Sequence, residues 1–386
     1  MTKRTVYADN AATMPVSKKA LDAAMPYLTE LYGNAGAVYS LGTKSARAVF
    51  DARKSIARSL GCEASEIIFT SGGSESDNMA ILGAAELGRQ TGKRHIVTTN
   101  IEHHAVLNTC RRLEAQGYDV TYLPADGEGL IAAEQISEAI REDTALVSVM
   151  YANNEIGTLM PIKEIAAICR SKNILFHTDA VQAAGHLPLE LNSLGVDMLS
   201  VSGHKFGAFK GVGALYIRKE LKLPPLISGG HQESGLRAGT ENVAGIVSMA
   251  EALRESLEGL KDKTDRLLKV RDKLTEGLLK IPGSRLNGDR KKRLPSNVNI
   301  SFDGVEGESL LLMLDINGVM ASSGSACTSY SADPSHVLKA IGLDDRLAKG
   351  SLRLSLSPDT TLDDAGFIIL AVEKSVRTLR ELSGAR

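Results

Sequence analysis

Short apolar, partly β-branched runs recur through the middle of the chain. They are Ile67 to Thr70, His95 to Thr99, Val120 to Leu123, Ala145 to Met150, Ile174 to His177, Met198 to Val201 and Ala214 to Ile217. Most are separated by stretches whose apolar residues keep a helical period, at 75–87, 103–116, 132–141, 161–171 and 180–184. Strand and helix in alternation predict an α/β fold, a mostly parallel sheet of seven strands with helices on both faces. The sixth and seventh runs are joined only by the glycine-rich FGAFKGVG, so the seventh strand is expected to pair antiparallel.

The flanks read differently. Val16 to Leu31 has a helical pattern containing Pro26, and Gly33 to Ala37 breaks it. Thr43 to Leu60 is helical again, with Ala46, Val49, Phe50, Arg53, Ile56 and Leu60 on or beside one face and Gly61 as its stop. Glu241 to Lys280 reads as one long charged helix bridging two domains, its period carried by Ile246, Met249, Leu253, Leu257, Leu260, Leu267, Leu274 and Leu278. Beyond Pro282 come a strand (Val298 to Phe302), a helix (Ser309 to Ile316), a loop of small residues (Ala321 to Ser331) and a strand (Leu352 to Leu356). A last helix follows, with Leu362, Ala365, Ile369, Val372, Val376 and Leu379 on one stripe. The expected division is a large α/β domain over 15–255, with 1–14 and 256–386 forming a smaller α+β domain.

Composition narrows the function classes. The chain has 386 residues, 43% of them hydrophobic, enough for a sizeable core. With 45 basic against 46 acidic residues the net charge is −1, and nothing global points to nucleic acid or a membrane surface. The basic run Arg290 to Arg293 reads as a solvated loop. No signal peptide is evident, and no apolar stretch approaches the roughly eighteen residues of a membrane span, so a cytoplasmic location is expected. The four cysteines have neither disulfide-scaffold nor zinc spacing, and no metal is expected. Cys110 and Cys169 fall on apolar helical faces, and Cys62 follows Gly61 at a helix end. Cys327 is the exception: it lies in the small polar run Ser322 to Ser329, which is expected to be exposed and mobile, the setting of a reactive thiol.

Candidate chemistry gathers where strands end. Ligands of open α/β sheets sit outside the carboxyl ends of the strands. One apolar run leads to the lone acid Asp179, and another to Ser202-Gly203-His204-Lys205. A lysine able to form a Schiff base and an acid able to pair with a pyridinium nitrogen are what pyridoxal 5'-phosphate asks of a protein. Taken singly, Asp179 also reads as a helix cap and Lys205 as a loop residue. The run Ile67 to Thr70 leads into Ser71-Gly72-Gly73-Ser74, whose glycines and following helix start suit a single phosphate, although a plain capped helix has the same pattern. The pair His103-His104 opens a helix at another strand end, and Asn153-Asn154-Glu155 follows a fourth.

Together SGGSESDN, EHHAVL, NNEIG, HTDAVQ, SGHK, RAGTENV and SSGSACTS, in this order, make the chain resemble the cysteine desulfurases of the iron-sulfur-cluster and nitrogen-fixation type. The likeness runs almost end to end, and the SSGSACTS loop resembles the first subgroup of that family. It implies the fold type I architecture of pyridoxal-phosphate enzymes and conversion of L-cysteine to L-alanine, with the sulfur held on Cys327 as a persulfide for an acceptor or scaffold protein. The resemblance makes Lys205 the Schiff-base lysine, Asp179 the partner of the ring nitrogen and Gln182 the donor to the ring oxygen. It makes His103 the stacked, proton-moving histidine. Gly73, Ser74, Ser202 and His204 become a phosphate cradle, and Thr240 reaches the phosphate of a neighbouring subunit in a homodimer. Arg353 corresponds to the clamp on the substrate carboxylate, with Asn34 and Asn154 nearby, Asn154 also beside the cofactor. Another fold-type-I enzyme, a selenocysteine lyase or an aminotransferase, is the alternative, and Cys327 discriminates because a transaminase has no need of it. The chain departs from the family pattern at Asn34 to Tyr39, at Ala208-Phe209 and at Ser234, positions that bear on the substrate entrance and a dimer-proximal loop.

Overall fold

The computed structural model describes residues 4–323 and 334–384. Its strands are β1 (Val6–Tyr7), β2 (Ile67–Thr70), β3 (His95–Thr99), β4 (Asp119–Leu123), β5 (Thr144–Ser148), β6 (Leu175–Asp179), β7 (Met198–Ser202), β8 (Gly213–Ile217), β9 (Ser284–Leu286), β10 (Asn297–Phe302), β11 (Val319–Met320) and β12 (Ser351–Ser355). Seven of them form the central sheet in the order β2-β8-β7-β6-β5-β3-β4. Neighbours from β4 through β7 are parallel, and β8 is antiparallel to both β7 and β2. The short glycine-rich link cannot carry a crossover, which explains the reversal at β8. Because β8 reverses twice, the carboxyl ends of β2, β3, β5, β6 and β7 open on one edge.

Both faces of this sheet are covered. Alternate residues of one strand divide between two apolar clusters, Ile96 from Val97, Leu146 from Val147, Met198 from Leu199 and Leu215 from Tyr216. The first residue of each pair meets the helices Gly73–Gln90 and His104–Glu114. The second meets Ser40–Leu60, Ile162–Ser171 and Val243–Leu257. Two-sided burial is why these strands read as continuous apolar runs.

A third cluster forms around the antiparallel sheet β12-β10-β9 and takes in Leu267, Leu274, Ile300, Leu352 and Val372, with Val6 and Ala8 from the start of the chain. The parallel pair β1-β11 ties that start to it. Val337, Leu338 and Ala348, from the two short helices His336–Ala340 and Asp345–Lys349, and Ile341 just after the first, pack instead with the first cluster.

Five expectations are corrected. The stretch 241–280 is two helices, Val243–Leu257 and Leu260–Leu278, because their apolar faces serve different cores and the axis must turn between them. Gly259, at φ 60°, makes that turn without a Cβ penalty. Residues 180–184 form turns: Asp179 accepts from the Val181 N–H, the Ala180 carbonyl accepts from both Ala183 and Ala184, and Gly185 at φ 78° lets the chain leave. Pro26 starts a second short helix, Pro26–Thr29, after Lys18–Ala24. Arg293 is not solvated but 4% exposed, its guanidinium donating to the carbonyls of Ile156 and Asn287. A long cation that satisfies buried carbonyls can be carried inside, which the charge run alone does not disclose. Phe50 and Leu362, placed on apolar stripes by period, are 45% and 46% exposed.

Candidate active site

The open edge of the sheet borders a cavity of about 380 Å³ whose walls include Gly73, Ser74, His103, Asn154, Asp179, Gln182, Ser202, His204, Lys205 and Arg353. They come from the ends of β2, β3, β5, β6 and β7 or the turns after them, with Arg353 supplied by β12, so the fold brings together residues as far apart as 73 and 353.

Lys205 ends the tight turn Gly203–Lys205 that follows β7. Its Nζ donates to the carbonyls of Ala11 (2.6 Å) and Ala12 (2.9 Å), and the Nε2 of Gln182 reaches the same Ala11 carbonyl at 3.1 Å. Behind it, the Lys205 carbonyl lies 2.8 Å from Nε2 of His186. Asp179 closes β6 and is 6% exposed. Burial lifts its carboxyl to about 6, while the Val181 N–H at 2.9 Å and the charge of Lys205 pull the other way.

His103 caps the helix His104–Glu114. Its Nδ1 accepts the Ala105 N–H at 3.1 Å, so Nε2 carries the proton of the neutral ring. Burial, then Lys205 and His104, hold that imidazole down to about 4. The ring therefore enters the cavity uncharged at neutral pH. His204 is likewise held down to about 4, chiefly by burial, with Nδ1 3.1 Å from the Thr13 hydroxyl.

Close backbone approach marks the wall made by β2, β7 and β8. A Cβ on Gly73 would stand 2.6 Å from Cγ2 of Val181, and one on Gly213 would stand 2.6 Å from Cα of Gly72. The helix Gly73–Gln90 opens there with its unpaired N–H groups and positive dipole end. Its first-turn acid Glu75 is held by Arg237 at 2.8 Å and by the Ser71 N–H at 3.0 Å. An adjoining depression of about 430 Å³ shares Gly73, Ser74, Ser202 and His204 with the cavity and adds Thr13, Ser71 and Lys210.

Arg353, on β12, closes the far side. Its Nη2 donates to Asp9 at 2.8 Å and its Nη1 to the Asn154 carbonyl at 3.1 Å. The backbone of Arg353 pairs with Ser322, at the start of the undescribed stretch. Past it, the Ser335 hydroxyl donates to Glu155, and the His336 ring packs 4.7 Å from His104. The chain thus enters and leaves 324–333 at residues bound to the cavity wall. Cys327 itself lies outside the described residues. Burial lifts Glu155 to about 7.

Two expected residues stand apart from the cavity in a single chain. Asn34 is exposed, its Oδ1 accepting the Gly36 N–H at 2.8 Å, and Thr240 is exposed as well. Several residues that line or back the cavity escaped sequence reasoning: Asp77, Glu102, His177, Asp9 and His336. Asp77 had a usable signal, lying one helical turn beyond Gly73, and so did His177, on the Asp179 face of β6. Asp9 and His336 had none, since both depend on contacts distant in sequence. Among the described residues no group of three or more His, Cys, Asp or Glu is placed to hold a metal, and no helix is long and apolar enough to cross a membrane.

Residues 6–366 match the aminotransferase class-V family. A protein named cysteine desulfurase IscS from Methanosarcina thermophila is 52% identical over 98% of this chain and 94% of its own length. One of the same name from Clostridium botulinum is 49% identical over 98% and 96%. Among solved structures, a NifS-like protein superposes with a TM-score of 0.91 at 38% identity, covering 97% of this chain and all of its own. A structure of SspA in complex with cysteine gives 0.81 at 38%, covering 92% and 99%.

Proposed function

From the premise that this chain belongs to the aminotransferase class-V family, and among its relatives to the cysteine desulfurases, we propose that it converts L-cysteine to L-alanine with pyridoxal phosphate and holds the released sulfur on Cys327 for an acceptor protein. The observation that carries the reading is the meeting of Lys205, Asp179, Gln182, His103 and the Gly73–Ser74 helix start in one cavity.

The donor set fits the cofactor. An amine, a buried acid, a side-chain amide and a neutral imidazole face one space, beside a wall so close that a Cβ on Gly73 would collide with Val181. Lys205 would hold the cofactor covalently, Asp179 its ring nitrogen and Gln182 its ring oxygen, with His103 on the ring face and Asn154 beside it. Gly73, Ser74, Ser202 and His204 would surround its phosphate. When bound, the cofactor supplies the electron sink that lets the Cα–H bond of an amino acid break.

The chain's own groups do the rest. Lys205 Nζ, kept in place by the Ala11 and Ala12 carbonyls, takes the proton from Cα. Asp179 keeps its charge toward the ring nitrogen because Lys205 and the Val181 N–H oppose the effect of burial. Arg353, pre-set by Asp9 and the Asn154 carbonyl, binds the substrate carboxylate, with Asn34 completing that end. The thiolate of Cys327 attacks the substrate sulfur. An S–S bond forms as the carbon–sulfur bond breaks, its electron pair stays with the carbon skeleton, and protonation there yields alanine. Cys62, Cys110 and Cys169 are poor rivals, since burial pushes each thiol up to about 12.

The enzyme is read as a homodimer in which Asn34 and Thr240 meet the partner's site. Supporting this, both are exposed, and the segment around Asn34 carries Leu28, Tyr32, Val38 and Tyr39 at 54 to 99% exposure. The division into a large unit over 15–255 and a small one over 1–14 and 256–386 is carried as part of the same reading. The helix break near Gly259 and the separate apolar clusters support it.

The test is direct. Incubated with L-cysteine, the purified chain is expected to release alanine and, with a thiol reductant, sulfide in equal amount. Mass spectrometry should find one added sulfur on the peptide containing Cys327. 3-Mercaptopyruvate in place of alanine and sulfide would overturn the reading and favour a transaminase, and sulfur on another cysteine would overturn the role given to Cys327.

A further inference from the structure

Behind Asp179 lies a buried polar row that the mechanism above does not use. Strands β5, β6 and β7 are neighbours, and Ser148, His177 and Ser200 stand side by side on the face covered by the helix Gly73–Gln90. His177 Nδ1 is 2.9 Å from the Ser148 hydroxyl and its Nε2 is 2.9 Å from the Ser200 hydroxyl, all three residues being fully buried. A neutral imidazole has one donor and one acceptor, so the two hydroxyls satisfy it.

Asp77 descends onto this row from the covering helix. It is 1% exposed, its Oδ1 lies 3.6 Å from His177 Nε2 with no hydrogen-bond partner, and it lines the cavity together with Asp179. A third acid, Glu102, is fully buried. Its Oε1 accepts from the Thr99 hydroxyl and the Met150 N–H, and its Oε2 is unpartnered. The ionisable groups around Asp77 are therefore Asp179 and His177 on β6, Glu102 ahead of the next helix, and Lys205 and His103 across the cavity. Of these only Lys205 is a fixed cation, and it acts on Asp179. Three buried carboxylates around one ammonium cannot all be ionised.

Asp179 has both the cation and a backbone N–H, whereas Asp77 has neither. Taking the cavity as a pyridoxal-phosphate site, as above, we propose that Asp77 is a positioning residue: held as a neutral acid on the Ser200–His177 pair, it leaves the negative charge of this buried acid cluster on Asp179. The direction of the local effects agrees. Burial, then Asp179, raises the Asp77 carboxyl well above the usual range and outweighs the Ser200 hydrogen bond that lowers it, whereas Asp179 rises only to about 6. His177 is held down to about 3 by burial and supplies no compensating charge. Which of the two acids is neutral matters, because only Asp179 occupies the strand end where it can pair with a cationic ring nitrogen. Had the proton settled on Asp179, the charge would sit over the imidazole and the ring would lose its partner.

The experiment compares wild type, Asp77→Asn, Asp77→Ala and Asp179→Asn. Infrared difference spectra of the cofactor-free chains at pH 7, wild type minus Asp77→Asn, should show the carbonyl stretch of a protonated carboxylic acid. Titration with pyridoxal phosphate should find Asp77→Asn within about threefold of wild type in affinity, with the same pH midpoint in visible absorbance. Asp77→Ala, which removes the contact to the row, should bind about tenfold more weakly, with a displaced midpoint. If that variant does not fold, Asp77→Ser takes its place in the titration. A carboxylate band in the difference spectrum, a loss in Asp77→Asn as large as in Asp179→Asn, or an alanine variant identical to wild type would each overturn the proposal. Failure of the wild type to take up pyridoxal phosphate would show separately, and would overturn the cofactor assignment and this inference with it.

Discussion

Glu102→Gln offers a quantitative test of how the buried acids of this site behave. Burial, with Asp179 adding to it, lifts the Glu102 carboxyl from its ordinary value of 4.5 to about 8. The unfolded chain releases that proton above 4.5, so between 4.5 and 8 folding takes one up. The stability this group contributes is then fully present below 4.5 and lost as pH rises through 8. At about 1.4 kcal/mol per pH unit the ceiling over the whole interval is about 5 kcal/mol, and between pH 5.5 and 8 about 3.4 kcal/mol. Relaxation and water entry in real interiors bring the expected effect to about 2 kcal/mol. Glutamine keeps an acceptor for the Thr99 hydroxyl and Met150 N–H but places an amide donor where Oε2 is unpartnered. That donor adds a cost of about 1–3 kcal/mol that does not vary with pH. The observable is therefore the change in the difference between variant and wild type. With an unfolding entropy of about 0.8 kcal/mol/K for a chain of this length, the melting temperature of Glu102→Gln should gain about 2–3 °C on wild type between pH 5.5 and 8.5. Calorimetry of the cofactor-free chains at matched ionic strength measures it. A pH-independent difference, or a variant that loses ground as pH rises, would show that Glu102 is ionised in the folded protein.

Other outcomes follow from the same geometry. Cys327→Ala should keep the visible absorbance of bound cofactor yet lose cysteine-dependent sulfide release by several orders of magnitude, because a covalent step is removed outright; near-normal turnover would refute the sulfur path. Gly73→Ala should weaken pyridoxal-phosphate binding by about 5- to 150-fold, the equivalent of about 1–3 kcal/mol of overpacking against Val181. Gly366→Ala, whose Cβ would meet nothing nearer than Lys273 Nζ at 3.7 Å, should bind as wild type does when both are titrated with pyridoxal phosphate. Borohydride reduction followed by peptide mapping should fix the cofactor to Lys205, and label on another lysine would reassign the site.

Much of this protein could be read locally. The spacing of apolar runs predicts the central strands to within a residue or two, and the short glycine-rich link predicts the reversal of β8. Strand ends carrying Asp179, Lys205 and His103 mark one edge of the sheet, because a parallel α/β layout sends every such end to the same side. Cys110 and Cys169 were legible as core thiols from helical period alone, and both are buried.

What the tertiary structure decided concerns contacts between segments with no local relation. Period alone joins 241–280 into one helix; the break at Gly259 exists because two separate cores claim its two halves. A basic run looks solvated until the carbonyls of Ile156 and Asn287 are seen to surround Arg293. The carbonyls that seat Lys205 come from Ala11 and Ala12, more than 190 positions earlier, and the acid that pre-sets Arg353 is Asp9, 344 positions away. The acids at Asp77 and Glu102 become chemically distinct only through burial beside Asp179. Periodicity reports which face of an element is apolar; desolvation and pairing between distant segments depend on what that face is packed against, and no single stretch of sequence contains both partners.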